Sequence, residues 1–183
     1  MALKATVHRL TLEVADLDRH YYASHALTLA QHPSETDARV MVRALAFGLF
    51  AEERLEFGRG ISSEGEADLW ARSLTGDIEH WITLGQPDEA SVRRACGRAR
   101  RVTVVAYGGR AFAPWWEKQA DALRRCSNLS VVELPTGSAE ALAPLLSRSM
   151  ELQCLVQEGE VQLIGPVVNV TVAPVWHLRP AES

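Results

Sequence analysis

The chain changes its hydrophobic period several times, and each change marks an element. Apolar and polar residues roughly alternate over residues 3–13 and show a second β-like stretch over 21–31, with Asp16 to Asp18 forming a turn between them; this predicts an antiparallel pair of strands. At His32 the period lengthens. Pro33, a Ser34 N-cap with Asp37 three residues on, and Ala38, Met41, Val42, Leu45 and Leu49 at helical spacing predict a helix over 35–53. Three short β-like segments follow at 54–59, 66–71 and 78–85, separated by turns rich in Gly, Ser and Thr. Pro87 and Asp88 then open a helix that ends near Arg98, and the β-branched run RVTVVAY at 101–107 reads as a buried parallel strand, which makes a strand-helix-strand crossover. A helix over 112–125, a strand over 129–134 and a helix over 138–147 continue the theme. The tail reads as strands with a turn at Glu158 and Gly159 and a break at Pro166.

The resulting order is helix, three strands, helix, strand, helix, strand. It predicts an α/β (α+β) architecture, a mixed sheet flanked by helices, with strands from both ends of the chain extending that sheet. A length of 183 residues matches one domain, with its core over about 34–134. Composition narrows the class: 47% hydrophobic and 23% charged residues describe a chain able to bury a sizeable core. No run approaches the roughly 20 apolar residues a bilayer requires, and Lys4, His8 and Arg9 stand where a signal peptide has its apolar stretch, so a cytoplasmic protein with no membrane partner is expected. Cys96, Cys126 and Cys154 are odd in number, lack metal-ligand spacing and read as reduced, mostly buried thiols. A net charge of −4 argues against coating nucleic acid through the overall field, while a local basic patch stays open. Of 19 basic residues, only Lys4 and Lys118 are lysines.

Candidate chemistry begins with two acids. Segments 66–71 and 78–85 are expected to lie side by side, so that Asp68 on the first and Glu79 on the second converge on Mg²⁺ or Mn²⁺; the bland alternative is that both line the solvent side of a sheet edge. Glu35, Arg39 and Arg43 recur every fourth residue and share one helix face, either as a solvated stripe or as groups facing the cleft of Asp68, with Arg59 and Glu53 near the same cluster. Arg93, Arg94, Arg98, Arg100 and Arg101 form the one basic run. It reads as a phosphate-binding stripe or as a helix end favoured by the dipole. Trp115 and Trp116 cannot share a helix face, so at most one is free to stack on a base. Tyr107 ends a buried strand at the edge where α/β sheets place ligand crevices.

HPSET at 32–36, EERLEFGRG at 52–60, the element ending at Trp70, HWITLGQPD at 80–88, Ala106 with Tyr107, Trp115 with Trp116, and Asn128 to Ser130 together resemble the YaeQ family, as do MALKAT at the start and ADLDR at 15–19. The blocks run through essentially the whole chain. The resemblance implies a variant of the PD-(D/E)XK, restriction-endonuclease-like fold, whose core order is the one read above. It places the Pro-acid pair on Ala67 and Asp68, the second acid on Thr83 and the nuclease lysine on Gly85. With no lysine there, Arg93 or Arg94 is the candidate for the electrostatic part, although an arginine does not accept a proton near neutral pH. The expectation is therefore a charged pocket binding nucleic acid or another anionic ligand. The alternatives are a Mg²⁺-dependent phosphodiesterase or nuclease using Asp68 and Glu79, and a non-catalytic regulatory or protein-interaction module with a degenerate nuclease fold.

Overall fold

The computed structural model describes residues 4–59 and 65–180. Leu3, where the first strand was expected to begin, and Gly60, which closes the EERLEFGRG block, lie outside them. Strand β1 (Thr6–Asp16) pairs with β2 (Tyr21–Gln31) in one unbroken antiparallel register, Thr6 opposite Gln31 and Asp16 opposite Tyr21. Helix α1 (Asp37–Leu49) follows. Next come β3 (Leu55–Phe57), β4 (Leu69–Arg72) and β5 (Ile78–Leu84), an antiparallel meander. Helix α2 (Glu89–Arg98) carries the chain to β6 (Ala99–Ala106), parallel to β5, and α3 (Phe112–Leu123) carries it to β7 (Leu129–Glu133), parallel to β6. Helix α4 (Ser138–Leu142) leads to β8 (Ser149–Gln157), β9 (Glu160–Ile164), β10 (Asn169–Val172) and β11 (Val175–Leu178).

The terminal strands do not simply widen the core sheet. They build a sheet of their own in the order β10-β9-β8-β1-β2, and only β11 joins the second sheet, β11-β7-β6-β5-β4-β3. The cause lies in α1. Every residue from Val40 to Gly48 is buried, Arg43 included, so this helix is enclosed on all sides and needs cover on both. The alternating Leu10, Leu12 and Val14 of β1 and the Met150, Leu152 and Cys154 of β8 supply one cover. Leu69, Ile82, Leu84, Val105 and Val132 of the other sheet supply the second. The opposite face of the six-stranded sheet, with Val102, Val104 and Val131, packs against Val92 and Ala95 of α2 and Phe112, Trp115 and Leu123 of α3.

Helix limits differ from expectation at both ends of α1 and at the end of α4; α1 stops at Leu49, four residues short of Glu53. Thr36, not Ser34, caps α1, accepting from Arg39 N at 3.1 Å, because Ser34 is held by the His32 ring at 2.7 Å and Glu35 is turned inward. Helix α4 stops at Leu142 and continues as one 3-10 turn, Ala143–Leu145, around Pro144. Trp115 is buried and donates to the Pro87 carbonyl at 2.7 Å, and Trp116 packs on Phe112 and His177, so both serve packing. The thiols are free. Burial pushes Cys154 up to about 12, and burial together with the neighbouring Cys126 does the same to Cys96.

Candidate functional site

Antiparallel pairing of β4 with β5 sets Leu69 opposite Ile82, so Asp68, one residue before β4, comes to the C-terminal end of β5 beside Thr83. There Leu84 N donates to Asp68 Oδ2 at 2.8 Å and Thr83 Oγ1 donates to the same oxygen at 3.3 Å. Gly58 fixes the other side of this segment: its N–H donates to the Asp68 carbonyl at 2.9 Å, and a Cβ at Gly58 would overlap the Ala67 carbonyl oxygen. The close approach of two backbones is what requires glycine there.

From Asp68 a chain of alternating charges runs into the core. Arg39 Nη2 donates to Asp68 Oδ1 at 2.8 Å, and Arg39 Nη1 donates to Glu35 Oε2 at 2.6 Å. Arg43 grips Glu35 with Nε at 3.0 Å and Nη2 at 2.7 Å, and Nη2 also donates to the Ala30 carbonyl at 2.9 Å. The Glu35 and Arg43 side chains are 2% exposed, against 17% for Arg39 and 15% for Asp68. The i, i+4, i+8 stripe therefore faces inward. Burial alone would lower the Arg39 pKa, but Asp68 and Glu35 outweigh it and hold the guanidinium above its usual value. Tyr107 stands beside the network; burial pushes its hydroxyl up against the pull of Arg39, and Asp68 and Glu35 add to the rise. Gln86 Nε2 donates to the Tyr107 carbonyl.

Asp68 and Glu79 do not converge. A hairpin that brings Asp68 to the end of β5 necessarily leaves Glu79 at its start, four residues and about 13 Å away along the strand. Glu79 instead lies 3.5 Å from Arg100 Nε. Nor does the donor set at Asp68 suit a divalent cation, which takes free carboxylate oxygens and waters. Asp68 Oδ1 is committed to Arg39 and Oδ2 to Leu84 and Thr83, and the guanidinium of Arg39 itself stands between the carboxylates of Glu35 and Asp68. Among the described residues no three His, Cys, Asp or Glu side chains gather as a metal-ligand group. At Gly85, the position expected for lysine, the backbone is left-handed with φ 94°, a conformation that disfavours any side chain.

Immediately beside Thr83 opens a cleft of about 350 Å³ between β5 and α2, lined by Trp81, Thr83, Ser91, Arg94, Arg98 and Glu66 among others. Asp88 caps α2 at this end, accepting from Ser91 N at 2.7 Å, a bond that holds its carboxyl below the usual range. Arg94 reaches Ser91 Oγ at 3.2 Å. Arg98 lies over the Trp81 ring at 5.1 Å and donates to the Gly65 carbonyl at 2.8 Å. Arg93 points elsewhere, to Glu89 at 3.3 Å with 67% of its side chain exposed. Arg59 pairs with Glu66 at 3.1 Å on the rim, and Glu53 is exposed outside the network. Arg101 pairs with Glu52 at 3.3 Å. Sequence reasoning passed over Trp81 and Ser91 as lining residues; the signal was Trp81 and Thr83 alternating on β5, and Ser91, Arg94 and Arg98 recurring one helical turn apart on α2.

The fold and site define an α+β protein of two mixed sheets around a central helix, with a self-neutralised charged network beside a basic cleft. By sequence the chain belongs to the YaeQ family, whose model, described as YaeQ protein, matches residues 1–174. It is 44% identical to the YaeQ protein of Salmonella typhi, over 89% of this chain and 90% of that one, and 40% identical to that of Escherichia coli K12, over 94% and 95%. The crystal structure of the YaeQ protein from Xanthomonas axonopodis pv. citri matches with a TM-score of 0.94 at 53% identity, covering 96% of this chain and 99% of that one. The YaeQ protein from Pseudomonas syringae gives 0.90 at 33%, covering 96% and 97%. Among the described residues no helix is long and apolar enough to cross a membrane.

Proposed function

We propose that this YaeQ-family protein binds a phosphate-bearing ligand, nucleic acid first among them, in the cleft between β5 and α2, and that it binds without cutting. The observation that carries this reading is the pairing of Arg94 and Arg98, one helical turn apart on the wall of a cleft of about 350 Å³ that Trp81, Thr83 and Ser91 also line. The guanidinium groups of α2 suit phosphate oxygens, and the volume suits a nucleotide-sized group. The order α1, β3, β4, β5, α2, β6 supports a nuclease-type core, in which the family resemblance implies that Asp68 is the first acid. The missing lysine at Gly85, the hydroxyl of Thr83 in place of an acid and the guanidinium of Arg39 between two carboxylates favour a site that has kept binding and not hydrolysis. Three free thiols fit a reducing cytoplasm.

The test is fluorescence anisotropy with labelled single- and double-stranded DNA and RNA at low and moderate salt. Arg94→Ala is expected to weaken binding about tenfold and to flatten the salt dependence by about one phosphate contact, while Arg93→Ala on the solvent face of the same helix changes little. Equal losses from both variants, or no binding by the wild type at low salt, would sink the proposal. Cleavage in Mg²⁺ or Mn²⁺ that disappears in Asp68→Ala would overturn its second half and restore the nuclease reading.

A further inference from the structure

Among the described residues the two sheets expose four edges, and three of them are short: β10 and β11 have four residues each and β3 has three. The fourth, β2, runs for 11 residues, YYASHALTLAQ, without a charge, a proline, a glycine or a bulge. Edge strands of water-soluble proteins ordinarily carry one of those features, because a straight row of unpaired N–H and C=O groups recruits another strand. Among the described residues, the one group outside β1 that hydrogen-bonds to the β2 backbone is Arg43, at Ala30 near the strand's end. The inner face of β2 is also unfinished. Leu10, Leu12 and Val14 of the neighbouring β1 are buried, whereas Tyr21, Ala23, His25 and Leu27, on the same side of the sheet, are only half-buried.

We infer that β2 is the pairing edge of a homodimer, in which two copies join antiparallel about a two-fold axis and the two five-stranded sheets become one of ten strands. The occupant is a second copy because the strand is complementary to itself. With the axis at Ala26, Tyr22 faces the small Ala30, Ser24 faces Thr28 and Ala26 faces its own counterpart on the outer side; Tyr21 meets Gln31, Ala23 meets Leu29 and His25 meets Leu27 on the inner side. No like charges oppose one another. An isologous contact of this kind closes on itself, so the exposed edge ends in a dimer and not in a fibre. Pairing along the strand would form about ten backbone hydrogen bonds and cover the half-buried inner row.

Light scattering after gel filtration reads the outcome directly: the wild type should weigh twice the 20.2 kDa of one chain. Ser24→Lys with Thr28→Lys sets lysines opposite each other across the axis and should give monomers with an unchanged circular dichroism spectrum. Ala26→Cys should cross-link rapidly under mild oxidation, since facing Cα atoms in such a pair stand about 4.5–5.5 Å apart, within disulfide reach. Thr11→Cys, on the same face but one strand further in, should not. A wild type that stays monomeric at its highest soluble concentration overturns the inference, including the case in which an extended peptide from another protein takes the edge. A dimer that survives the double lysine change and fails to cross-link through Ala26→Cys overturns it equally, by placing the interface elsewhere.

Discussion

Arg43 offers the sharpest test of the buried network. Replacing it with methionine keeps most of the volume and removes both hydrogen bonds to Glu35, at 2.7 and 3.0 Å, and the one to the Ala30 carbonyl at 2.9 Å. Glu35 is then left 2% exposed with Arg39 Nη1 as its remaining cation. Removing one partner of a buried ion pair costs about 3–5 kcal/mol, and because Arg39 still neutralises part of the charge the lower end, about 3 kcal/mol, is the expected loss. At a urea slope of about 2 kcal/mol/M that moves the unfolding midpoint by about 1.5 M, readily followed by the fluorescence of five tryptophans. Glu35→Leu combined with Arg43→Met removes both charges, and Arg39 keeps Asp68. That pair should be no less stable than Arg43→Met alone, a coupling of about 2 kcal/mol or more. Were Arg43→Met to cost less than about 1 kcal/mol, or the two changes to add, the network would not be the closed unit drawn from its distances.

His80 and Gly58 give further tests. His80 is 3% exposed, hydrogen-bonded through Nε2 to Thr103 Oγ1 at 2.8 Å, with no partner for Nδ1. Burial first, then Arg101 and Arg19, pushes its pKa down to about 3. The unfolded chain takes up this proton near pH 6.5, so the contribution of neutral His80 is whole above that pH and is lost as pH falls toward about 3, at up to about 1.4 kcal/mol per pH unit. His80→Asn should flatten the acid limb of a stability-versus-pH curve, and an unchanged slope would refute the assignment. Gly58→Ala drives a Cβ into the Ala67 carbonyl oxygen and forces β3 away from the segment carrying Asp68. The expected loss is about 1–3 kcal/mol in urea midpoint experiments together with weaker ligand binding in the β5–α2 cleft; full stability would show that the approach is not required.

Much of the architecture is local and was therefore legible in the chain. The period of α1, the β-branched run of β6, the order of the elements from α1 to β7 and the Gly and Pro breaks are properties of neighbouring residues, and the elements lie within a few residues of where those signals put them. That Glu35, Arg39 and Arg43 form one stripe also followed from helical spacing, which left open whether it faces solvent or the cleft. What spacing leaves undecided is which side of a helix is covered. Cover on both sides of α1 decided that, and only a second sheet folding over it turned Arg43 from a solvated group into a buried one.

The site divides the same way. That Asp68 sits beside β5 follows from two adjacent strands; which β5 residue it meets depends on hairpin register, and register set Thr83 and Leu84 against it and left Glu79 with Arg100. Likewise Arg93 and Arg94 are neighbours in sequence, but α2 packing on β5 sends one to solvent and the other into the cleft. By itself, then, the sequence determined the elements, the family and the inventory of charges, because these depend on short-range periods and residue type. The tertiary structure decided which charges neutralise one another and which stay at the surface, because pairing at about 3 Å is set by the packing of segments far apart in the chain.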